Sequence, residues 1–277
     1  MEIMDGKSLA QEIKNEVKDK VERLRKKPLL ACIIVEGNSA SEVYVANKQR
    51  ACDECGLQSM IVRLPNNVTQ RKLENEIVKL NDNKDVSAIL LQLPLPEGLD
   101  STRALEKIDP SKDVDCLTVH NLGLLFSGQW KIAPCTATGI IKMLKKYDVE
   151  IAGKHAVVIG RSLLVGKSVA NLLEQNNATV TICHSKTKDL KEITKTADIL
   201  VVAVGKSKYI TSEYVKEGAV VVDVGINRID GKLTGDVDFE EVKDKCSLIS
   251  KVPGGVGPLT VACLMENTLL LAMQKKL

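Results

Sequence analysis

Tyr44 and Lys48 stand four residues apart in a stretch, about Ser41 to Cys55, that reads as a helix, so both project from one face. A lysine amine can carry a proton, but unaided such a pair is usually a plain solvated helix face. Gln92 directly follows the apolar run Val86–Leu91, and Pro94 and Pro96 forbid continuation of a central strand. That puts Gln92 at a carboxyl edge, where α/β sheets bind ligands, or makes it a backbone cap in a proline-stiffened loop. Asp109-Pro-Ser-Lys112-Asp113-Val114-Asp115 reads as an acidic, solvated turn. The three histidines, His120, His155 and His184, are far apart. Of eight cysteines only Cys52 and Cys55 lie close together, inside a charged helical stretch rather than between a strand and a helix start. We expect idle buried thiols and no metal site.

A second cluster suits phosphate. Val157-Val-Ile-Gly160-Arg161-Ser162-Leu-Leu-Val165-Gly166 is a strand, a Gly-bearing turn and a helix start, the context in which free helix-start amides bind pyrophosphate. Ser162 and Val165 replace the second and third glycines of the dinucleotide fingerprint, so alone the segment also fits an ordinary strand-to-helix turn. An NAD site expects an acid near the end of the next strand, but Cys183-His184-Ser185-Lys186-Thr187-Lys188 has none. Hydroxyls, cations and Arg161 suit a ribose phosphate instead, which favours NADP. Gly205-Lys-Ser207, Gly225-Ile-Asn227 and Pro253-Gly-Gly-Val-Gly-Pro258 follow further strands on the same expected face and suggest a lined cleft.

Positioning these groups requires strands that alternate with helices. Leu9, Ile13, Val17, Val21 and Leu24 mark a first helix, followed by strand Leu29–Val35, helix Ser41–Cys55, strand Ser59–Leu64, helix Thr69–Asn81 and strand Val86–Leu91. Leu117–Thr138 reads mainly as loop. Helix Thr138–Tyr147, strand His155–Ile159, helix Gly166–Gln175 and strands Thr179–Cys183, Asp198–Val204, Ala219–Val224 and Ser247–Ser250 follow, then an apolar helix, Thr260–Met273. This alternation predicts an α/β fold with parallel sheets in two domains, a smaller α/β unit and a nucleotide-binding one.

Composition narrows the partners. The chain has 277 residues, a net charge of +3 and only 2 Phe, 1 Trp and 4 Tyr, which argues against nucleic-acid, membrane-surface and base-stacking roles. No apolar signal core or membrane-length run stands out, and Asn67-Val-Thr69 and Asn177-Ala-Thr179 lack a secretory context, so a cytoplasmic protein is expected.

Seven ordered motifs span essentially the whole chain. Ser41-Glu-Val-Tyr44-Val-Ala-Asn-Lys48, Leu91-Gln92-Leu-Pro-Leu-Pro96, Lys112-Asp-Val-Asp115 and Pro134-Cys-Thr136 come first; Gly160-Arg-Ser-Leu-Leu-Val-Gly166, Cys183-His-Ser-Lys-Thr187 and Pro253-Gly-Gly-Val-Gly-Pro258 follow. In this order they resemble the bifunctional methylenetetrahydrofolate dehydrogenase/cyclohydrolase (FolD) family. The resemblance implies a folate-binding catalytic domain over 1–135 plus a C-terminal helix at 260–277, a Rossmann-like NADP-binding domain over 136–259, a folate cleft between them, and a homodimer. It implies that Lys48 acts as base with Gln92 orienting it, that Tyr44 packs on the folate rings, and that Asp115 anchors the pterin. It assigns the ribose phosphate to Arg161 and Ser185, the pyrophosphate to Gly160 and Ser162, and the nicotinamide border to Ile226 and the loop ending at Pro258. The family usually has Gly at Cys116, Pro at Ala137 and Ser168, and Met at Leu259.

The implied chemistry suits these side chains. Hydride loss from methylenetetrahydrofolate mainly needs alignment. Hydrolysis of the resulting methenyl cation to formyltetrahydrofolate needs a water activated nearby, for which a desolvated lysine could serve. Alternatives are a monofunctional dehydrogenase with weak cyclohydrolase activity, a shikimate-type NADP dehydrogenase and a dinucleotide-sensing module. The last would need neither Lys48 nor Gln92.

Overall fold

The computed structural model describes residues 1–274, apart from the side chains of Ser39 and Ala40. In chain order the first elements are β1 (Glu2–Met4), α1 (Gly6–Glu22), β2 (Leu29–Val35), α2 (Ser39–Glu54), β3 (Gln58–Leu64), α3 (Gln70–Asp82) and β4 (Val86–Leu91). Next come α4 (Ser101–Leu105), α5 (Val119–Phe126), α6 (Cys135–Lys146), β5 (His155–Ile159), α7 (Ser168–Gln175), β6 (Thr179–Cys183) and α8 (Leu190–Thr194). The last are β7 (Ile199–Val202), β8 (Ala219–Asp223), β9 (Asn227–Ile229), β10 (Lys232–Thr234), α9 (Phe239–Val242), β11 (Cys246–Ser250) and α10 (Val256–Gln274). Two compact units result: Glu12–Ala133 with the chain from Val261, and Met1–Gln11 with Pro134–Thr260.

In the first unit β2 is the central strand of a parallel sheet ordered β3-β2-β4. All seven of its residues are buried, as expected of a parallel strand covered on both faces. Helix α3 buries Leu73, Ile77 and Leu80 at helical spacing, and Thr69 caps its start by accepting from the Lys72 amide. Its other end explains Lys112. That side chain is only 4% exposed, and its Nζ donates to the carbonyls of Leu80 (2.9 Å), Asn81 (2.5 Å) and Asn83 (2.8 Å). A cation thus satisfies the orphan carbonyls where the helix dipole is negative.

The supposedly solvated turn around it is therefore largely buried. Asp113 forms a parallel bridge with Ile89, and its carboxylate accepts from the amides of Leu117 (3.2 Å) and Thr118 (2.8 Å) and from Asn121 Nδ2 (3.0 Å). These bonds, with Thr118 as N-cap, start α5 inside the segment expected to be loop. Val119, His120, Asn121 and Gly123 are weak helix formers, so the signal came from a carboxylate several residues upstream.

Helix α10 is long and apolar enough to cross a membrane by length and composition, an exception to the expectation that no run comes near that length. Of its most apolar window 56% is buried inside the protein, and Asn267 Nδ2 donates to the carbonyls of Val114 and Ala133, both at 3.0 Å. Those bonds tie the helix to the first unit as a core element.

The second unit is a six-stranded parallel sheet ordered β1-β11-β8-β7-β5-β6. Strand β1 moves residues 1–11 into this unit, whereas the sequence expectation placed them with the first half. Three residues carry no legible periodicity, and their role is set by pairing with β11 and by the Lys7 amide donating to the Gly254 carbonyl at 3.0 Å.

Two buried carboxylates organise the loops at the carboxyl end of this sheet. Asp223, at the end of β8, accepts from the amides of Gly225 (2.9 Å), Asp236 (2.9 Å) and Val237 (3.0 Å). Burial pushes its carboxyl up to about 6, the three amides oppose that shift, and the neighbouring Asp236 adds to it. Asp236, fully buried, accepts from the amides of Val204 (2.6 Å), Gly205 (2.8 Å) and Lys206 (2.9 Å) and from Asn227 Nδ2 (2.8 Å). It thereby joins the loop after β7 to strand β9. Asp236→Ala should lower the unfolding free energy by about 3 kcal/mol, because several donors lose their acceptor at once. Urea unfolding of the two proteins measures this; an unchanged midpoint would show that water replaces the carboxylate.

Candidate functional site

In the first unit α2 follows β2 and lays Lys48 over the end of β4. Lys48 Nζ donates to Gln92 Oε1 at 2.9 Å. The amide of Gln92 is itself held: Nε2 donates to the Leu93 carbonyl at 2.6 Å, and the backbone N–H donates to the Ile33 carbonyl at 2.9 Å. With Nε2 so engaged, Oε1 is the face left for the lysine. Gln92 is buried, Lys48 half-buried, and Tyr44, one turn earlier, exposed. The Leu93–Pro94 peptide that follows Gln92 is cis.

Asp115 reaches the same edge by a different route. Asp113 bridges Ile89 on β4, and the chain then turns, the Cys116 amide donating to the Asp113 carbonyl at 3.3 Å, so that Asp115 lies in the turn beside β4. The buried thiol of Cys32 on β2 registers both charges: burial pushes it up to about 11, Lys48 pulls it down, and Asp115 pushes it up. Lys48, Gln92 and Asp115 therefore share the carboxyl edge of β2 and β4. Ser41, seven residues before Lys48 and hence on the same helix face, has a buried hydroxyl with no hydrogen-bond partner among the described residues. Its sequence neighbourhood marked it only as part of a motif. Cys52 and Cys55 are buried, and burial pushes their thiols up to about 12 and about 11, which makes them inert.

In the second unit the turn after β5 is built on close backbone approach. Gly160 has φ +132, and a Cβ there would lie 2.3 Å from the Ala203 carbonyl oxygen. A Cβ on Gly166 would lie 2.2 Å from the Gly160 oxygen. Only glycines let this loop fold onto the strand end and onto itself. Ser162 Oγ caps the turn by accepting from the amides of Val165 (3.3 Å) and Gly166 (3.5 Å), which leaves its own proton to donate. Leu163–Lys167 forms one π-helical turn before α7, where a plain helix start was expected, and the Ser168 hydroxyl donates to the Leu163 carbonyl.

Beyond β6, His184–Thr187 closes a tight turn: the His184 amide donates to Thr187 Oγ1 at 2.8 Å, and the Thr187 amide to the His184 carbonyl at 2.8 Å. Ser185 is exposed at its tip. A groove of about 250 Å³ brings Gly160, Arg161, Ser185, His184, Lys206 and Tyr209 together, and no Asp or Glu lines it. Lys206 and Tyr209 were not assigned from sequence; the lysine four residues past the end of β7 was the available signal. Ser162, Ile226 and Pro258 do not line this groove. Ile226 is exposed beyond β8, with its Cδ1 near Gly257, and Pro258 is half-buried in the first turn of α10, which begins at Val256 rather than Thr260.

Comparison with known proteins agrees with this layout. The model of the tetrahydrofolate dehydrogenase/cyclohydrolase catalytic domain matches residues 4–115, and that of the tetrahydrofolate dehydrogenase/cyclohydrolase NAD(P)-binding domain matches residues 134–276. The bifunctional protein FolD of Caldicellulosiruptor saccharolyticus is 55% identical over 269 residues, covering 94% of this chain and 96% of that protein. The crystal structure of the bifunctional enzyme FolD, methylenetetrahydrofolate dehydrogenase/cyclohydrolase, from Campylobacter jejuni superposes with a TM-score of 0.97 at 46% identity, covering 99% of each chain. The Trypanosoma brucei N5,N10-methylenetetrahydrofolate dehydrogenase-cyclohydrolase (FolD), in complex with NADP and an inhibitor, superposes with a TM-score of 0.94 at 39% identity over 99% of this chain and 98% of that one. With both halves matched and relatives of such identity along nearly its full length, the chain belongs to the tetrahydrofolate dehydrogenase/cyclohydrolase family.

Proposed function

We infer that this protein is a bifunctional, NADP-dependent methylenetetrahydrofolate dehydrogenase and methenyltetrahydrofolate cyclohydrolase of one-carbon metabolism. The observation that carries the reading is the Lys48–Gln92 hydrogen bond at the edge of one sheet, in a chain whose other sheet bears a carboxylate-free groove behind a glycine turn. Bifunctional FolD relatives matched along nearly the whole chain favour this reading over a dehydrogenase with weak cyclohydrolase activity.

The fit of NADP rests on the cradle itself. Gly160 and Gly166 let the turn fold tightly against the Ala203 carbonyl and onto itself ahead of the helix, the arrangement in which helix-start amides meet a pyrophosphate, and Arg161 lies in a groove without an acid to repel a ribose phosphate. When bound, NADP supplies the hydride acceptor. In this reading Arg161 and Ser185 hold the ribose phosphate, Gly160 and Ser162 face the pyrophosphate, and Ile226 and Pro258 border the nicotinamide.

Folate is assigned to the unit Glu12–Ala133 with the chain from Val261. Tyr44 offers its exposed ring to the folate rings, and Asp115 accepts N–H bonds from the donor edge of the pterin. Lys48 takes a proton from the water whose oxygen bonds to the methenyl carbon. As a carbon–nitrogen bond breaks to leave the formyl group, a proton moves to the released ring nitrogen. Gln92 keeps the amine on this path by holding one of its hydrogens. The balanced surface charge and the burial of α10 support a cytoplasmic protein without nucleic-acid or membrane partners, and the homodimer follows from the family resemblance.

Lys48→Met should reduce cyclohydrolase turnover at least about 100-fold while sparing dehydrogenation far more, since general base catalysis is worth that much. Following methenyl-folate absorbance through formation and decay separates the two steps, and equal losses in a folded variant reject the base assignment. Asp115→Ala should weaken folate binding by about 1.5–3 kcal/mol with little change in NADP affinity, read by titrating each ligand. Arg161→Ala should weaken NADP and leave NAD nearly unchanged in parallel fluorescence titrations; equal losses count against a phosphate contact.

A further inference from the structure

We propose that Lys206 is a further specificity-determining residue for the adenosine 2′-phosphate of NADP, acting beside Arg161 and held toward the groove by the ring of Tyr209. The proposal rests on the NADP reading and goes beyond it, since the family motifs of this chain point only to Arg161 and Ser185.

Three observations carry it. Lys206 lines the same groove as Arg161 and Ser185, and neither cation forms an ion pair among the described residues. Lys208, two residues further on, is engaged elsewhere, in an ion pair with Asp238 at 3.4 Å. Two uncompensated cations on a groove with no carboxylate make an anion site, and a phosphomonoester carrying about −1.5 to −2 charge near neutral pH matches both, where one arginine leaves part of that charge unbalanced. The position is also built. The Lys206 amide donates to the fully buried Asp236 carboxylate at 2.9 Å, and its Nζ lies 5.3 Å from the centroid of the Tyr209 ring, within cation–π range. Finally, the groove has the division of surfaces an adenosine phosphate needs. Leu190, Val204 and Tyr209 give it apolar walls for a base, and Ser185, at the end of the strand after the phosphate loop, stands where dinucleotide folds read the ribose.

Calorimetric titration of the whole protein with adenosine 2′,5′-bisphosphate and with 5′-AMP tests this without turnover. The unmodified protein should prefer the bisphosphate. Lys206→Met should lower bisphosphate affinity about tenfold and leave 5′-AMP unchanged, as loss of one charge-assisted bond predicts. Lys206→Arg should restore the preference; Tyr209→Leu should cost about threefold and Tyr209→Phe nothing. A Lys206→Met protein with unchanged bisphosphate affinity, or with equal losses for both ligands, overturns the proposal, and if Arg161→Ala still abolishes the preference the NADP reading stands. An unmodified protein that binds both ligands equally removes the NADP reading and this proposal together.

Discussion

The hydrogen bond from Lys48 to Gln92 joins a helix to a strand end 44 residues away, and the first unit is arranged so that it can form. A lysine side chain is flexible, and holding it still costs rotamer entropy, so its partner has to be rigid already. Gln92 meets that requirement from three sides. Its backbone continues the ladder to Ile33, its Nε2 is committed to the Leu93 carbonyl, and its side chain is buried. Central placement of β2 makes the meeting possible. With β3 and β4 on its two sides, the helix that follows β2 and the residue that follows β4 arrive at one edge. Asp115 lies in the turn that begins where Asp113 bridges β4 at Ile89.

The second unit solves a different problem by different means. A dinucleotide is bound largely by backbone, so the loops at the strand ends have to be fixed without side chains occupying the space above them. Asp223 and Asp236 do this from underneath. Their carboxylates are stabilised by converging amides, which bind the loop after β7, the end of β8 and strand β9 into one framework. Burying two carboxylates is costly, and the raised titration of Asp223 records that cost. The same arrangement turns negative charge inward. Lys206, which lines the groove, offers its amide to Asp236 while its ammonium lies over the Tyr209 ring.

Much of this was legible in the amino-acid order, for identifiable reasons. Apolar runs such as Leu29–Val35 and Val86–Leu91 announce parallel strands because both faces are covered, and prolines after Gln92 announce where one of them ends. Spacing alone puts Tyr44 and Lys48 on one helix face, and those prolines put Gln92 at a strand edge. Features that depend on partners distant in sequence were not legible. Lys112 and Asp113 read as a solvated turn, yet one caps α3 and the other nucleates α5. Strand β1 is too short to show a period, and Asp223 and Asp236 look like ordinary loop acids until their amide partners converge. Arg161 and Ser185 were visible through the absence of an acid after β6, whereas Lys206 and Tyr209 needed the groove itself.

The four departures from the family pattern all fall outside the set of polar side chains at the strand ends. Cys116 sits at φ +56, a left-handed conformation that costs a non-glycine residue about 1–2 kcal/mol, and its buried thiol is pushed up to about 12, first by burial and then by Asp113 and Asp115. It is strained yet chemically silent, and the Asp113 carboxylate that holds the amides of Leu117 and Thr118 keeps the turn in place around it. Ser168, where a proline is usual, donates its hydroxyl to the Leu163 carbonyl across the π-helical turn. Leu259 is fully buried against Gly139, where a Cβ would stand 2.8 Å from the leucine Cβ, and Ala137 is buried in the same helix as that glycine. All four changes fall on buried positions that set backbone path or packing. None adds a charge to the groove or removes a polar group from the edge that carries Lys48, Gln92 and Asp115, so the changes stay within the scaffold.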